Sequence, residues 1–254
     1  MHNDEGTLLV LRRAKLLTID AHLDQAKAED RAHAEYIVNT MGGLPLALDQ
    51  AAAYIEETQC SLATFLEKYG RRHAEILQRR GGTGRDHSLP VATTWSLSFT
   101  QVQQLNPVAA DLLRACAFLA PEAIPEEMIV GGATELGPLL GALKNDTTLL
   151  DEAIGTLNRF SLVRRNRDNQ TIFIHRLVQD VLRTSMNEQE QQHWAECVIK
   201  SVDLVFPSVN VDTWLQCERF MSFGSYLRQN GEICVNTSIW RRYVSARYLN
   251  KVAC

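Results

Sequence analysis

The sequence predicts a mainly α protein: a helical bundle, then a winged helix-turn-helix domain with a small two-stranded β-wing, then a C-terminal helical region. Three observations predict it. Apolar residues recur at helical spacing through most of the chain. One glycine-rich polar break, "GGTGRDHSLP" (Gly81 to Pro90), interrupts them. Beyond that break a helix, strand, turn, strand and helix follow in succession, the element order of a winged helix. At 254 residues and 45% hydrophobic content, the chain has material for one large domain, or two to three small ones, with genuine cores.

The elements follow in order. Thr7 to Leu17 and Ala26 to Asn39 carry apolar residues at helical spacing, with Asp20 and Asp24 near helix starts. The stretch "MGGLPLALDQAAAYIEE" then places a Gly42-Gly43-Leu44-Pro45 bend before a helix over 46–57, with Pro45 at its first position. That helix is apolar around most of its circumference, so it is predicted to be buried. "CSLATFLEKYGRRHAEILQRR" follows, with Ser61 as N-cap and Leu62, Phe65, Leu66 and Tyr69 on one face. Residues 5–80 thus read as one bundle and 81–92 as a linker.

Residues 93–186 read as the winged helix. "NPVAADLLRACAFLA" has Asn106 as cap and Pro107 as first helical residue, and "IPEEMIVGGA" starts in the same way at Pro125. "LLDEAIGTLNRF" is a helix, "SLVRRN" and "TIFI" are strands around the turn "RDNQ", and "HRLVQDVLRTSM" is a helix with Leu177, Val178, Val181 and Leu182 facing inward. Residues 187–254 read as helical: one helix ends at Pro207, and "DTWLQCERFMSFGSYL" supplies another.

Composition narrows the function classes. Lys and Arg number 26 against 30 Asp and Glu, so no bulk charge draws the chain to nucleic acid or an anionic membrane. Six cysteines stand singly with no CxxC pair, which predicts reduced thiols rather than a disulfide framework or zinc knuckle. The N-terminus is acidic before its short apolar run, the reverse of a signal peptide, and no apolar stretch reaches membrane-spanning length; a cytoplasmic location is expected.

No catalytic or metal residue is assigned. "RRGGTGR" lacks the Lys-Ser/Thr and preceding strand of a phosphate loop. There is no GxSxG or HExxH, and the seven histidines give no ligand pair on one helix face. His175, at a strand-helix corner, has two readings: an anion contact among free helix-start amides, or a residue that caps its own helix. DNA is disfavoured as a partner. The would-be recognition helix opens with Asp151 and Glu152, and the wing cations Arg164, Arg165 and Arg167 read as a solvated hairpin.

The ordered set "GGLPLALDQAAAYI", "TTWSLSF", "LLRACAFLAPEAIPEEMI" and "SLVRRN…IHRLVQDVLR" resembles the central part of bacterial NB-ARC proteins. These are STAND signal-transduction ATPases, commonly ending in tetratricopeptide repeats. The resemblance covers roughly Glu5 to Arg219 and makes the first bundle an ARC subdomain. It implies that Gly43, Leu44, Pro45 and Leu46 form one wall of an adenine pocket. It implies too that His175, in "IHR", contacts the β-phosphate of ADP as in the MHD motif of plant relatives. The family's P-loop, Walker B acid and sensor arginine belong upstream of this chain's start. ADP or ATP is therefore expected as a cofactor only with a complete nucleotide-binding domain, in the same polypeptide or in trans, and no enzymatic activity is expected of the chain alone. Protein partners are expected at the C-terminal helices, which resemble the entry to a tetratricopeptide-like region. Two alternatives stand beside this reading: a winged-helix DNA-binding regulator and a helical protein-interaction scaffold.

Overall fold

A computed structural model describes residues 1–79, 89–207, 213 and 220. In chain order they form α1 (Asn3–Arg13), α2 (Ala28–Thr40), α3 (Pro45–Thr58), α4 (Leu62–Arg79), α5 (Leu89–Leu105), α6 (Pro107–Cys116), β1 (Ile124–Pro125), α7 (Glu126–Gly131), α8 (Pro138–Gly141), α9 (Thr148–Arg159), β2 (Val163–Asn166), β3 (Thr171–Ile174), α10 (Arg176–Ser185) and α11 (Glu188–Val205). The chain is mainly helical with a small three-stranded sheet. It divides into two compact units, residues 1–106 with 155–163, and residues 107–154 with 164 onward.

In the first unit α1 packs on α2 and α3, and α5 packs on α3 and α4. Helix α3 can take so many neighbours because Ala47, Ala51, Ala52 and Ala53 are fully buried and small. Gly6 of α1 serves the same purpose: a Cβ there would press on Val38 at 3.0 Å and Leu48 at 3.3 Å. Ser61 caps α4 as expected, its hydroxyl accepting from the Thr64 amide at 3.1 Å.

The second predicted domain was to open at residue 93, but α5 belongs with the first unit. Its residues 89–92 form the first turn of a helix rather than linker, and 80–88 lie outside the described residues. The reason is burial on several sides. Val91, Ala92, Trp95 and Val102 are all core residues, and the hydroxyls of Thr93 and Thr94 bond back to the carbonyls of Leu89 (2.8 Å) and Pro90 (3.0 Å), so they enter the interior satisfied. Across the α4–α5 packing, His73 stacks on Tyr69 with centroids 5.5 Å apart, and its Nδ1 lies 3.3 Å from the Thr93 hydroxyl. Partial burial holds the imidazole below its ordinary value of 6.5, and burial pushes the Tyr69 phenol up to about 12.

In the second unit the sheet order is β1-β3-β2, so the hairpin has three strands where the sequence predicts two. β1 is antiparallel to β3, with Ile124 opposite Ile172 and Pro125 opposite Thr171. Pro125 is thus a strand residue, and the helix begins one residue later at Glu126, whose amide donates to Gln170 O at 3.0 Å. Two residues are too few for alternation to register, and an edge position tolerates a proline that lacks an N–H. Leu177, expected inward, is exposed, whereas Val178, Val181 and Leu182 are core. Helix α11 starts at an Asn187 cap, with reciprocal 2.9 Å bonds between Asn187 and Glu190, and packs on α6 and α7. The predicted helix at "DTWLQCERFMSFGSYL" and the C-terminal stretch lie outside the described residues, apart from Thr213 and Phe220. No described helix is long and apolar enough to cross a membrane.

Two glycines give opposite expectations. A Cβ on Gly132 would overlap the Ser201 hydroxyl and sit 2.8 Å from the Ser201 carbonyl, so Gly132→Ala is expected to cost at least about 1–3 kcal/mol by forcing α11 away. Gly155, inside α9, has open space around it, so Gly155→Ala is expected to gain about 0.5–1 kcal/mol. Chemical denaturation of the two variants checks both. Acid titration of stability checks His73. Above about pH 6.5 neither state holds its proton, and as pH falls through that value the unfolded chain takes it up first. Stability therefore declines on acidification, and the decline is expected to be shallower in His73→Gln.

Candidate functional site

The Gly-Gly-Leu-Pro bend is built by the end of one helix and the start of the next. Beyond the last turn of α2, the Gly43 amide donates to Val38 O at 2.9 Å and the Gly42 amide to Asn39 O at 3.2 Å, the paired closure of a Schellman cap. Gly42 and Gly43 have φ of +61° and +64°, the left-handed region, so two successive glycines are what this closure requires. Leu44 turns extended, and Pro45 takes the first position of α3, where its missing N–H costs nothing. Leu44 and Leu46 are half-buried and Pro45 is exposed, while Ala47 and Leu48 directly behind them are fully buried. The proline ring therefore stands at the surface on a fixed base. No side chain caps the α3 start, which leaves backbone donors and the positive helix end beside the ring.

Helix α3 is held in turn by Arg13. Its guanidinium pairs with Glu56, lies 3.5 Å from Asp49, and donates to Arg159 O at 3.2 Å. One side chain thus joins α1, two carboxylates of α3 and the end of α9.

His175 occupies the strand-helix corner predicted for it, exposed, in the second unit. It caps its own helix: the Leu177 amide donates to His175 Nδ1 at 3.2 Å. Nδ1 must then be unprotonated, so the neutral ring carries its proton on Nε2, as a donor on the opposite edge. Gly43, Leu44, Pro45 and Leu46 are contiguous in the first unit.

Sequence reasoning missed the residues that fix this corner. Gln179 of α10 is fully buried, and its amide donates to Cys116 O and Leu119 O, both at 2.8 Å. Arg183 donates to Ala117 O at 3.0 Å, so two residues of "LVQDVLR" satisfy the carbonyls where α6 ends. The Ile174 amide donates to Pro121 O at 3.0 Å, tying β3 to the same segment. A polar residue on the inward face of α10 was the available signal. Burial pushes the neighbouring Cys116 thiol up to about 12, so it is an inert core group.

The wing cations differ from one another. Arg165 forms a fork with Glu126 (2.6 and 2.5 Å) and reaches Asp151 at 2.6 Å, which raises its pKa above the ordinary arginine value through the Glu126 bonds first. The Glu126 side chain is 9% exposed, so this pair is largely desolvated. Arg164 and Arg167 are both exposed, at the rim of an open depression of about 510 Å³ that also includes Phe173. Asp151, read from sequence as facing phosphates, instead neutralises Arg165.

The sequence is similar to a family model and to a known protein. Residues 100–191 match a family model described as a domain of unknown function, DUF7779. Over 195 residues, 73% of this chain, the sequence is 28% identical to a nucleotide-binding leucine-rich repeat (NLR)-like protein of Hyaloscypha variabilis. The chain spans 18% of that relative's length.

Two substitutions test the supports of the corner and the turn. Gln179→Leu removes the side-chain donor of Leu119 O and leaves Cys116 O with the Leu119 amide at 3.3 Å, and it is expected to cost about 1–3 kcal/mol in denaturant unfolding. Gly42→Ala puts a Cβ in the left-handed region with open space around it, so the cost is conformational alone, about 1 kcal/mol.

Proposed function

We propose that this chain is a regulatory, non-catalytic segment of an NB-ARC/STAND signal-transduction NTPase. In this reading α1 to α5 form the ARC bundle, and α6 to α10 the winged helix, with β1 an added strand at the wing. Together they contribute ADP- or ATP-sensing contacts to a nucleotide-binding domain that this sequence does not encode. The observation that carries the reading is the Gly42 to Leu46 turn. It sets an exposed proline ring, flanked by half-buried leucines, at an uncapped helix start. Gly43, Leu44, Pro45 and Leu46 make one wall for an adenine, and His175 offers its Nε2–H to the β-phosphate of ADP. The lysine, magnesium-binding hydroxyl and water-orienting acid of hydrolysis come from that nucleotide-binding domain. Exchange of γ-phosphate for β-phosphate contacts then shifts the parent protein between two states. The NLR-like relative supports the family level of this reading.

Duplex DNA is not proposed as a partner. With Arg165 committed to Glu126 and Asp151, the wing keeps only Arg164 and Arg167 for a phosphate backbone.

Calorimetry tests the proposal. The chain alone is expected to show no ADP binding in the micromolar range, because most phosphate contacts are missing; submicromolar affinity would overturn the reading. With a P-loop domain of an NB-ARC relative fused at the N-terminus, ADP binding is expected to appear. His175→Asn should weaken it about 10- to 100-fold, the worth of a charge-assisted bond. Asparagine is a good N-cap, so chain stability should stay unchanged. Equal ADP affinity in the fused wild type and His175→Asn would remove His175 from the site.

A further inference from the structure

The solvent side of α11 carries a cysteine and a histidine one turn apart. His193 Nε2 and Cys197 Sγ approach to 3.8 Å; His193 is exposed and Cys197 half-exposed. The imidazole is held in this orientation edge-on against the buried Trp194 indole, with centroids 5.8 Å apart and planes at 71°. The thiol and imidazole are within hydrogen-bonding reach, and the same separation is close to the span of two ligands on one metal ion. Tetrahedral zinc, with bonds of about 2.3 Å to sulfur and about 2.0 Å to nitrogen, spans its two ligands by about 3.6 Å. Moving the two side chains by a few tenths of an ångström would place both on one ion.

The electrostatic surroundings are mixed but suit a cation. Glu196 and Glu135 both act on Cys197, opposed by Lys200, and partial burial is the first cause that keeps the thiol protonated above its ordinary value. A bound cation would displace that proton to solvent as the thiolate–metal bond forms. Among the described residues no group of three or more His, Cys, Asp or Glu is arranged to hold a metal. The pair therefore supplies two of the four ligands that zinc takes in closed sites, and it lies on a helix face open to another molecule.

We propose that His193 and Cys197 form a bidentate half-site for zinc, which a second copy of this chain completes as a centre of two cysteines and two histidines. The site lies on α11 and is independent of the nucleotide-sensing proposal.

Cobalt(II) and zinc titrations of the full chain test it. Cobalt is expected to give the intense visible bands of tetrahedral thiolate coordination, saturating at one ion per two chains. Zinc should double the mass measured by light scattering, and chelator should restore the monomer. His193→Ala and Cys197→Ser should each abolish both responses without changing the melting temperature of the metal-free chain. Cys197→His should keep the zinc-dependent dimer but lose the sulfur-to-cobalt charge-transfer band. Cys60→Ser should behave as wild type. An octahedral cobalt spectrum, one ion per chain with unchanged mass, or a dimer indifferent to both substitutions would overturn the proposal.

Discussion

A helix end leaves up to four carbonyls or four amides without partners, and in a chain of short helices the ends are numerous. How each end is closed organises this molecule. α1, α2 and α9 close in the same way, each with a left-handed residue after the last turn: Lys15, Gly42 and Ser161. The next amide in each case reaches back five residues, from Leu16 to Leu11 O, Gly43 to Val38 O and Leu162 to Leu157 O, at 2.9 to 3.0 Å. α6 closes differently. Its carbonyls fall in a buried stretch, so they take side-chain donors from another helix, Gln179 and Arg183 of α10. That choice fixes α10 against α6, and with it the corner at His175.

Both candidate sensing elements are helix ends of this kind. The Gly-Gly closure of α2 flows directly into the proline start of α3, and β3 flows through His175 into α10. Such positions combine a rigid base with backbone donors that no helix can use itself, which is why a ligand can be met there without loosening the core. The supports are expensive to disturb. Arg13 closes α9 while pairing with two carboxylates of α3, and Arg165 fills the space between the start of α7 and the first turn of α9. Both arginines would look like surface charge in a linear reading.

Much of this was legible in the residues, and the rest was not for definite reasons. Long periodic runs placed α2, α3, α4 and α11, and β-branched or aromatic runs placed β2 and β3. Ser61 announced its cap through ordinary capping chemistry. Gly42 was legible as a turn because glycine is the usual left-handed residue. Lys15 and Ser161 adopt the same conformation without any such mark, so the end of α1 falls at Arg13, earlier than the apolar run suggests. β1 is too short to alternate. The grouping of α5 with α3 and α4 depends on hydroxyls bonding back within their own helix, which spacing does not record. Of the candidate site, the turn and the corner were readable as motifs, but Gln179, Glu126 and Arg165 act through partners 39 to 63 residues away.

The central claim is that the turn at Gly43 and the corner at His175 are preformed by the chain's own hydrogen bonds, before any nucleotide is present. Amide hydrogen exchange followed by NMR on the unliganded chain tests it most directly. The account predicts that the Gly43 and Leu177 amides, bonded to Val38 O and His175 Nδ1, exchange well below coil rates, with Leu177 losing protection in His175→Ala. Exchange of both amides at coil rates in the folded chain would contradict it.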